Sequence, residues 1–195
     1  MTPILGILAS GISGNLWAPS KDYDSIATTT LATSTATITF SSIPSTYKHL
    51  QLRVLAKGAF VSNDRAAFKL QFNGDTASNY NTHNLMGDGA SVSAGSSGSQ
   101  TYMFGNPNSE FPSSSASVNA SMFGVAVIDF LDYTDTNKFT TGRFLSGWDN
   151  NSTLGRVIFQ SGLWRSTSAV TSISITSDLG NWAQYSQFAL YGIKG

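Results

Sequence analysis

The chain has no cysteine and few charged residues. Its 195 residues include two His, and 11 Lys or Arg balance 11 Asp or Glu, so the formal net charge is zero. Without cysteine there is no disulfide framework, no thiolate metal ligand and no cysteine nucleophile. Without clustered cations there is no electrostatic footprint for nucleic acid, and no basic amphipathic stretch indicates a membrane surface. We expect a fold that is held by packing and backbone pairing and that needs no cofactor.

Motifs for catalysis and metal binding are also missing. The sequence contains no HExxH, no Gly-rich phosphate loop after a strand and no GxSxG. His49 and His83 lie in no local context that would make either one a catalytic base. Asp149, Asn150 and Asn151 offer oxygen ligands for calcium, but the EF-hand spacing with its distal Glu is absent. We therefore predict a protein that is not an enzyme and has no catalytic residue and no metal ligand.

Alternating polar and apolar residues are the main positive signal. From Tyr23 onward no stretch keeps a 3.6-residue period over three turns, whereas period-two runs recur between turn residues. One run, residues 123–131, is denser in apolar side chains, which is typical of a strand buried on both faces. Asn73 and Gly74 end another run and form the strongest short hairpin signal. The predicted strands are residues 35–40, 50–55, 67–72, 123–131, 138–145, 157–163, 170–175 and 188–193.

Many short strands at this spacing predict an all-β protein, an antiparallel β-sandwich or jelly roll over residues 23–195. Ser and Thr supply roughly a quarter of the chain, well above ordinary usage. They dominate two low-complexity stretches, residues 90–100 and 112–118, which we predict to be long surface loops. Residues 87–99 and 106–118 are candidates for a distal contact surface, and solvated loops without a partner are the alternative.

The first nineteen residues, MTPILGILASGISGNLWAP, contain no charged side chain. Because Lys21 is the first basic residue, the segment lacks the basic start of a secretory signal, and it is too short and Gly-rich to span a bilayer. It is either a strand over the domain's own core or an extended peptide that docks on a partner, a recurrent recognition mode. We favour docking and predict an N-terminal arm over residues 1–22. The candidate docking residues are Ile4, Leu5, Ile7, Leu8, Ile12, Leu16 and Trp17.

Several stretches together resemble a known family. They are NWAQYSQFALYGIKG at 181–195, YDSIATTT at 23–30, FSSIPSTYKHL at 40–50, FNGD at 72–75 and IDFLDYTDTNK at 128–138. They resemble virion structural proteins of tailed bacteriophages, of the cyanophage type that is described as tail-fibre, appendage or capsid decoration protein. The resemblance covers nearly the whole chain from Tyr23 and extends loosely to the opening ILGILASGISG. It brings no catalytic residues with it.

The resemblance implies a structural component of the virion, assembled in the bacterial host cytoplasm. It implies an exterior decoration or short-fibre protein that the arm attaches to the particle. The expected partners are other virion proteins of the capsid, neck or tail, and further copies of the chain. A homotrimer is the most natural assembly for such an appendage. Nucleic acid and membrane are not expected as partners.

A receptor-binding module that contacts host surface glycans is the alternative function. Aromatic rings would stack on sugars and amide groups would hydrogen-bond to them. A glycan hydrolase is a third class, and it would need two carboxylates about 5–10 Å apart in a cleft. The candidate glycan-binding residues are Trp148, Asn150, Asn151, Trp164 and Trp182.

Overall fold

The structure, a computed structural model, describes residues 22–104, 110–115, 119–150 and 154–195. Within these ranges the chain forms β-strands and no helix. The strands are β1 (Tyr23–Thr30), β2 (Thr37–Phe40), β3 (His49–Ala56), β4 (Arg65–Phe72), β5 (Tyr80–Gly87), β6 (Val92–Gln100), β7 (Glu110–Pro112), β8 (Gly124–Leu131), β9 (Thr140–Asp149), β10 (Gly155–Trp164), β11 (Ile173–Ser177) and β12 (Gln187–Ile193).

The strands form two antiparallel sheets. The large sheet has eight strands in the order β1-β12-β3-β8-β9-β10-β5-β6, and the small sheet has four in the order β2-β11-β4-β7. Every pairing between these strands is antiparallel. The predicted all-β, antiparallel sandwich is confirmed, and its arrangement is compatible with a jelly roll.

The core lies between the sheets and is rich in aromatic rings. Phe68 of the small sheet lies 5.7 Å from Phe144 of the large sheet, measured between ring centroids, and 5.9 Å from Phe111. Strand β9 alternates buried and exposed residues along most of its length, as a strand with one face in the core should. Each large apolar side chain that is fully buried contributes about 1.5–3 kcal/mol. Burial between two sheets therefore stabilises a chain that has no disulfides.

Strand β8 is buried on one face only, so the prediction for residues 123–131 is wrong on this point. Ala126, Ile128 and Phe130 point into the core, but Val125 and Val127 on the opposite face are 54% and 39% exposed. The sandwich has two layers, and no described element covers the outer face of the large sheet. Apolar density in this strand therefore does not report burial on both sides.

Asn73 and Gly74 form a turn but not the predicted hairpin. Both have positive φ, 53° and 67°, and the Asp75 N–H donates to the Phe72 carbonyl across the turn at 2.9 Å. The next strand, β5, pairs with β10 and β6 in the other sheet. The Asn73 Oδ1 accepts hydrogen bonds from backbone N–H groups of residues 171 and 172, so the turn is tied to the segment before β11.

The low-complexity stretch at residues 90–100 is mostly an edge strand, so the predicted loop is wrong there. Strand β6 pairs with β5 along its length, with one irregularity in register. Its small residues are largely exposed, so backbone pairing rather than burial holds it. Such a strand has no period-two apolar signal. In the second predicted loop, Pro112 ends β7, and residues 105–109 and 116–118 lie outside the described residues.

Candidate functional site

The outer face of the large sheet carries a row of apolar side chains across four neighbouring strands. Phe159 pairs with Leu85 on one side and with Leu145 on the other. Leu145 in turn pairs with Val127. Residues that are directly opposite in adjacent strands lie about 4.5–5.5 Å apart and point to the same side. The row is therefore continuous from β5 to β8.

A second row runs beside the first and is displaced from it by two residues on each shared strand. It places Val92, Val157, Val125 and Leu55 on the outer face, with Gly87 and Gly147 at the positions between them. We call the two rows the apolar band. Its side chains are 39–74% exposed, whereas monomeric proteins rarely leave large contiguous apolar patches in water. The apolar band consists of Leu55, Leu85, Val92, Val125, Val127, Leu145, Val157 and Phe159.

The small sheet has an outer face of the opposite character. The outward residues of β2 and β11 and of residues 69–71 on β4 are hydroxyl, amide or ammonium side chains, and the Thr39 Oγ1 lies 3.3 Å from the Ser174 Oγ in a cross-strand hydrogen bond. The fold therefore does not require an apolar outer face. These outward residues are Thr37, Thr39, Lys69, Gln71, Ser174 and Thr176.

An ordered polar network borders the apolar band. Asp129 accepts hydrogen bonds from the Arg143 Nη2 at 2.6 Å and from the Gln51 Nε2 at 2.8 Å. The Arg53 Nε donates to the Gln51 Oε1 at 2.8 Å, and its guanidinium lies 5.0 Å from the centre of the Tyr191 ring. An apolar centre with a rim that contains Arg and Tyr is the usual anatomy of a protein–protein interface.

A second ionic cluster surrounds Asp132 at the end of β8. The Lys48 Nζ lies 2.9 Å from its carboxylate, and Lys138 forms a closer ion pair with it. Hydrogen bonds from Lys138 and Lys48 lower the pKa of Asp132 to about 2. The His49 Nδ1 accepts a hydrogen bond from the Asp132 N–H at 3.0 Å, so this nitrogen is engaged in the turn. In the described ranges no group of three or more His, Cys, Asp or Glu side chains is placed to hold a metal ion.

Two of the tryptophans predicted to bind glycan lie in the core, which corrects the expectation for them. Trp182 is fully buried, and Trp164 is only 2% exposed. The Trp164 Nε1 donates to the Asp75 carboxylate at 2.7 Å, and its ring stacks on Tyr80. Trp182 packs against neighbouring rings, including Phe111 at 5.6 Å. Neither indole has a free face for a sugar.

Trp148 lies at the far end of the large sheet from Trp164. It pairs with Arg156, which is eight residues before Trp164 on β10, a separation of about 26 Å at 3.3 Å per residue. Trp148 is 7% exposed, and its Nε1 has no acceptor among the described residues. It lines an open cleft of about 490 Å³ together with Asp88 and Asp149. The structure therefore does not bring the predicted glycan-binding residues into one site.

The two predicted amide ligands have different outcomes. Asn150, which follows β9, accepts a hydrogen bond at its Oδ1 from the N–H of Leu154, the residue before β10, at 3.0 Å. Asn151 lies outside the described residues. So do the seven docking residues of the N-terminal arm: Ile4, Leu5, Ile7, Leu8, Ile12, Leu16 and Trp17.

Comparison with known proteins adds no assignment. No protein-family model matches the chain, and no curated protein matches it. Over the part of the chain that the structure describes, no helix has the length and apolar character to cross a bilayer. The apolar band is the feature that the sequence predictions missed. The dense apolar run at 123–131 contains only two of its eight residues, Val125 and Val127, and the run by itself predicts burial on both faces.

Proposed function

We propose that this chain is a non-enzymatic structural protein of a tailed-phage particle, an exterior decoration or short-fibre protein that its N-terminal arm attaches. The observation that carries the proposal is the apolar band. A stable sandwich that leaves one broad sheet face apolar and the other polar has a built-in contact surface. The family resemblance of the sequence supplies the virion as the setting.

The apolar band is large enough to contribute measurably to association. Its eight side chains are each roughly half exposed. Fully burying such a side chain contributes about 1.5–3 kcal/mol, so covering the exposed halves contributes on the order of 6–12 kcal/mol. Association itself costs about 4–15 kcal/mol in lost freedom and ordering. The apolar band can therefore hold the protein against a neighbour when a second contact assists it.

The arm provides that second contact. Seven large apolar residues stand in an uncharged segment, and each contributes about 1.5–3 kcal/mol if it is buried on the particle. Two contacts on one chain raise the effective concentration at the second contact once the first has formed. In this proposal the arm secures the protein to the shell or tail, and the apolar band packs the domain against its surroundings.

Deletion of residues 1–18 tests the attachment. We expect the truncated domain to stay folded, with the circular dichroism spectrum and melting temperature of the full chain, and to lose its binding to particles that lack the protein. Two double variants of the full-length chain separate the effect of the apolar side chains from the effect of arm length. Ile4→Ser with Leu8→Ser should weaken attachment, whereas Ser10→Ala with Ser13→Ala should not. If the truncated domain unfolds, the segment is a core strand and not an arm.

Labelling of virions tests the setting. Electron microscopy with an antibody against this chain should place label on the particle. Label on the head would identify a decoration protein, and label on the tail would identify a fibre or appendage. A complete absence of label on particles would contradict the virion assignment.

The cleft beside Trp148 favours one second candidate, a receptor-binding module for host glycans. The cleft is open and combines an indole edge with the carboxylates of Asp88 and Asp149, which can hydrogen-bond to sugar hydroxyl groups. We expect binding on an array of host surface glycans to fall with Asp149→Ala, while Asp135→Ala, in a distant turn, leaves it unchanged. No binding of the full chain to any host glycan would exclude this candidate.

A further inference from the structure

The apolar band has a chemical match on a second copy of the same chain. We propose that the band packs against the same band of another copy, so that the protein forms a dimer with two-fold symmetry through the outer faces of its large sheets. This inference rests on the proposed function, because it names one partner of the surface that carries that function.

The contrast between the two sheets limits how copies can join. Among the described residues the outward side chains of the small sheet that stay exposed or half-buried are all polar, from Thr37 on β2 to Lys69 on β4. Of the two described sheet faces, only the same face of the next copy is therefore an apolar counterpart for this one. A surface that pairs with itself gives an isologous contact, which closes as a dimer. This symmetry differs from the trimer that the family resemblance suggests.

The large sheet has the area that such a dimer needs. Eight strands at about 4.8 Å spacing and eight residues at about 3.3 Å each give a face of roughly 38 by 26 Å. That is on the order of 1,000 Å², compared with about 800 Å² per partner in a standard interface. Two sheets can pack face to face at about 10 Å with their strands within about 30° of each other.

The charges on this face allow a copy to approach. On the described strands of the large sheet the outward positions hold no Lys and no Glu, two of the residue types that are depleted in interfaces. They hold Arg53 and Arg143 together with Asp129 and Asp149. Because the two signs balance, two identical faces do not repel each other as like-charged surfaces would.

Light scattering of the purified full chain over a range of concentrations tests the pairing. We expect the mass of a dimer, and we expect Leu145→Asp to raise the dissociation constant at least about tenfold, since each substitution occurs twice in the interface. Thr37→Asp is the matched control, because it places the same charge on an exposed strand position of the small sheet. Leu145→Thr, which introduces a β-branched polar residue that suits a strand, should weaken the dimer, with no change in the melting temperature measured at concentrations where both chains are monomeric.

If something other than a second copy covers the apolar band, such as the chain's own N-terminal arm, the same measurements give different results. Deletion of residues 1–18 should leave the dimer intact, because the apolar band lies wholly in the sandwich. A monomer at every concentration overturns the pairing, as does an oligomer whose mass Leu145→Asp does not change. A monomer that dimerises only after the deletion also overturns it, since the arm would then be what covers the band.

Particle binding separates this inference from the proposed function. A chain that joins particles but stays monomeric in solution would overturn the pairing and leave the function standing. A dimer that never joins a particle would support the pairing and contradict the function.

Discussion

Replacement of Trp182 by alanine is a direct test of the core assignment. The indole is fully buried and packs against Phe68, Phe111 and Phe188, with ring centroids 5.6–6.1 Å apart. Its backbone is paired with Thr35 by two hydrogen bonds of 2.9 and 3.0 Å, so the residue cannot easily move aside. Trp182→Ala therefore leaves a cavity between the sheets.

The expected loss of stability follows from this geometry. Removal of a buried Trp or Phe side chain costs about 3–5 kcal/mol, which includes the lost contacts and the cavity that does not collapse. For a domain of this size each kcal/mol lowers the melting temperature by about 2–4 °C, so the expected decrease is roughly 6–20 °C. A sugar-binding tryptophan on the surface would change the stability by no more than about 0.5 kcal/mol.

Urea unfolding of the variants measures the effect. Tyr185→Ala is the control, since this aromatic residue lies three positions away and is 65% exposed. Trp182→Phe should cost less than Trp182→Ala, because it keeps a ring in the cavity and removes an indole N–H that has no acceptor among the described residues. A Trp182→Ala variant within about 1 kcal/mol of the parent chain would refute the core assignment.

Two further predictions concern local contacts. A side chain at Gly192 would place its Cβ 2.3 Å from the Tyr47 ring, so Gly192→Ala should cost about 1–3 kcal/mol, and an unchanged thermal melt would contradict this. Asp132 should titrate near pH 2 by carboxyl NMR, and Lys138→Met should raise that pKa towards the ordinary value of about 3.9. Since the folded pKa lies below the unfolded one, Asp132 stabilises the fold above about pH 4, and this contribution is lost as the pH falls to about 2. A pKa at the ordinary value in the parent chain would show that the ion pairs do not form.

The sequence predicted the strands that have one face in the core. The alternation at residues 50–55 and 67–72 corresponds to β3 and β4, because an apolar residue at every second position covers one face of a strand. It failed for β6, whose small residues are held by pairing with β5 and carry no periodic signal. Asn73 and Gly74 show a related limit, since turn chemistry sets the local φ values but not the sheet that the next strand joins.

The candidate site was harder to predict than the strands. Aromatic residues near turns could lie in a core or bind a ligand, and only the packing of β4, β7 and β12 shows that Trp182 lies inside. The apolar band consists of residues from six strands, so no contiguous stretch of sequence displays it. Valines such as Val125 and Val157 are equally suited to a buried face and to an exposed one.

The sequence by itself determined that this chain is all-β, because period-two alternation without a helical period is a local property of the backbone. It also determined that the fold holds without disulfides, since there is no cysteine. Only the tertiary structure decided which strands share a sheet and which tryptophans enter the core. It also decided which face of the large sheet lies in the core and which face stays exposed. The physical reason is that burial depends on what lies opposite a strand, and residues distant in the chain supply that neighbour.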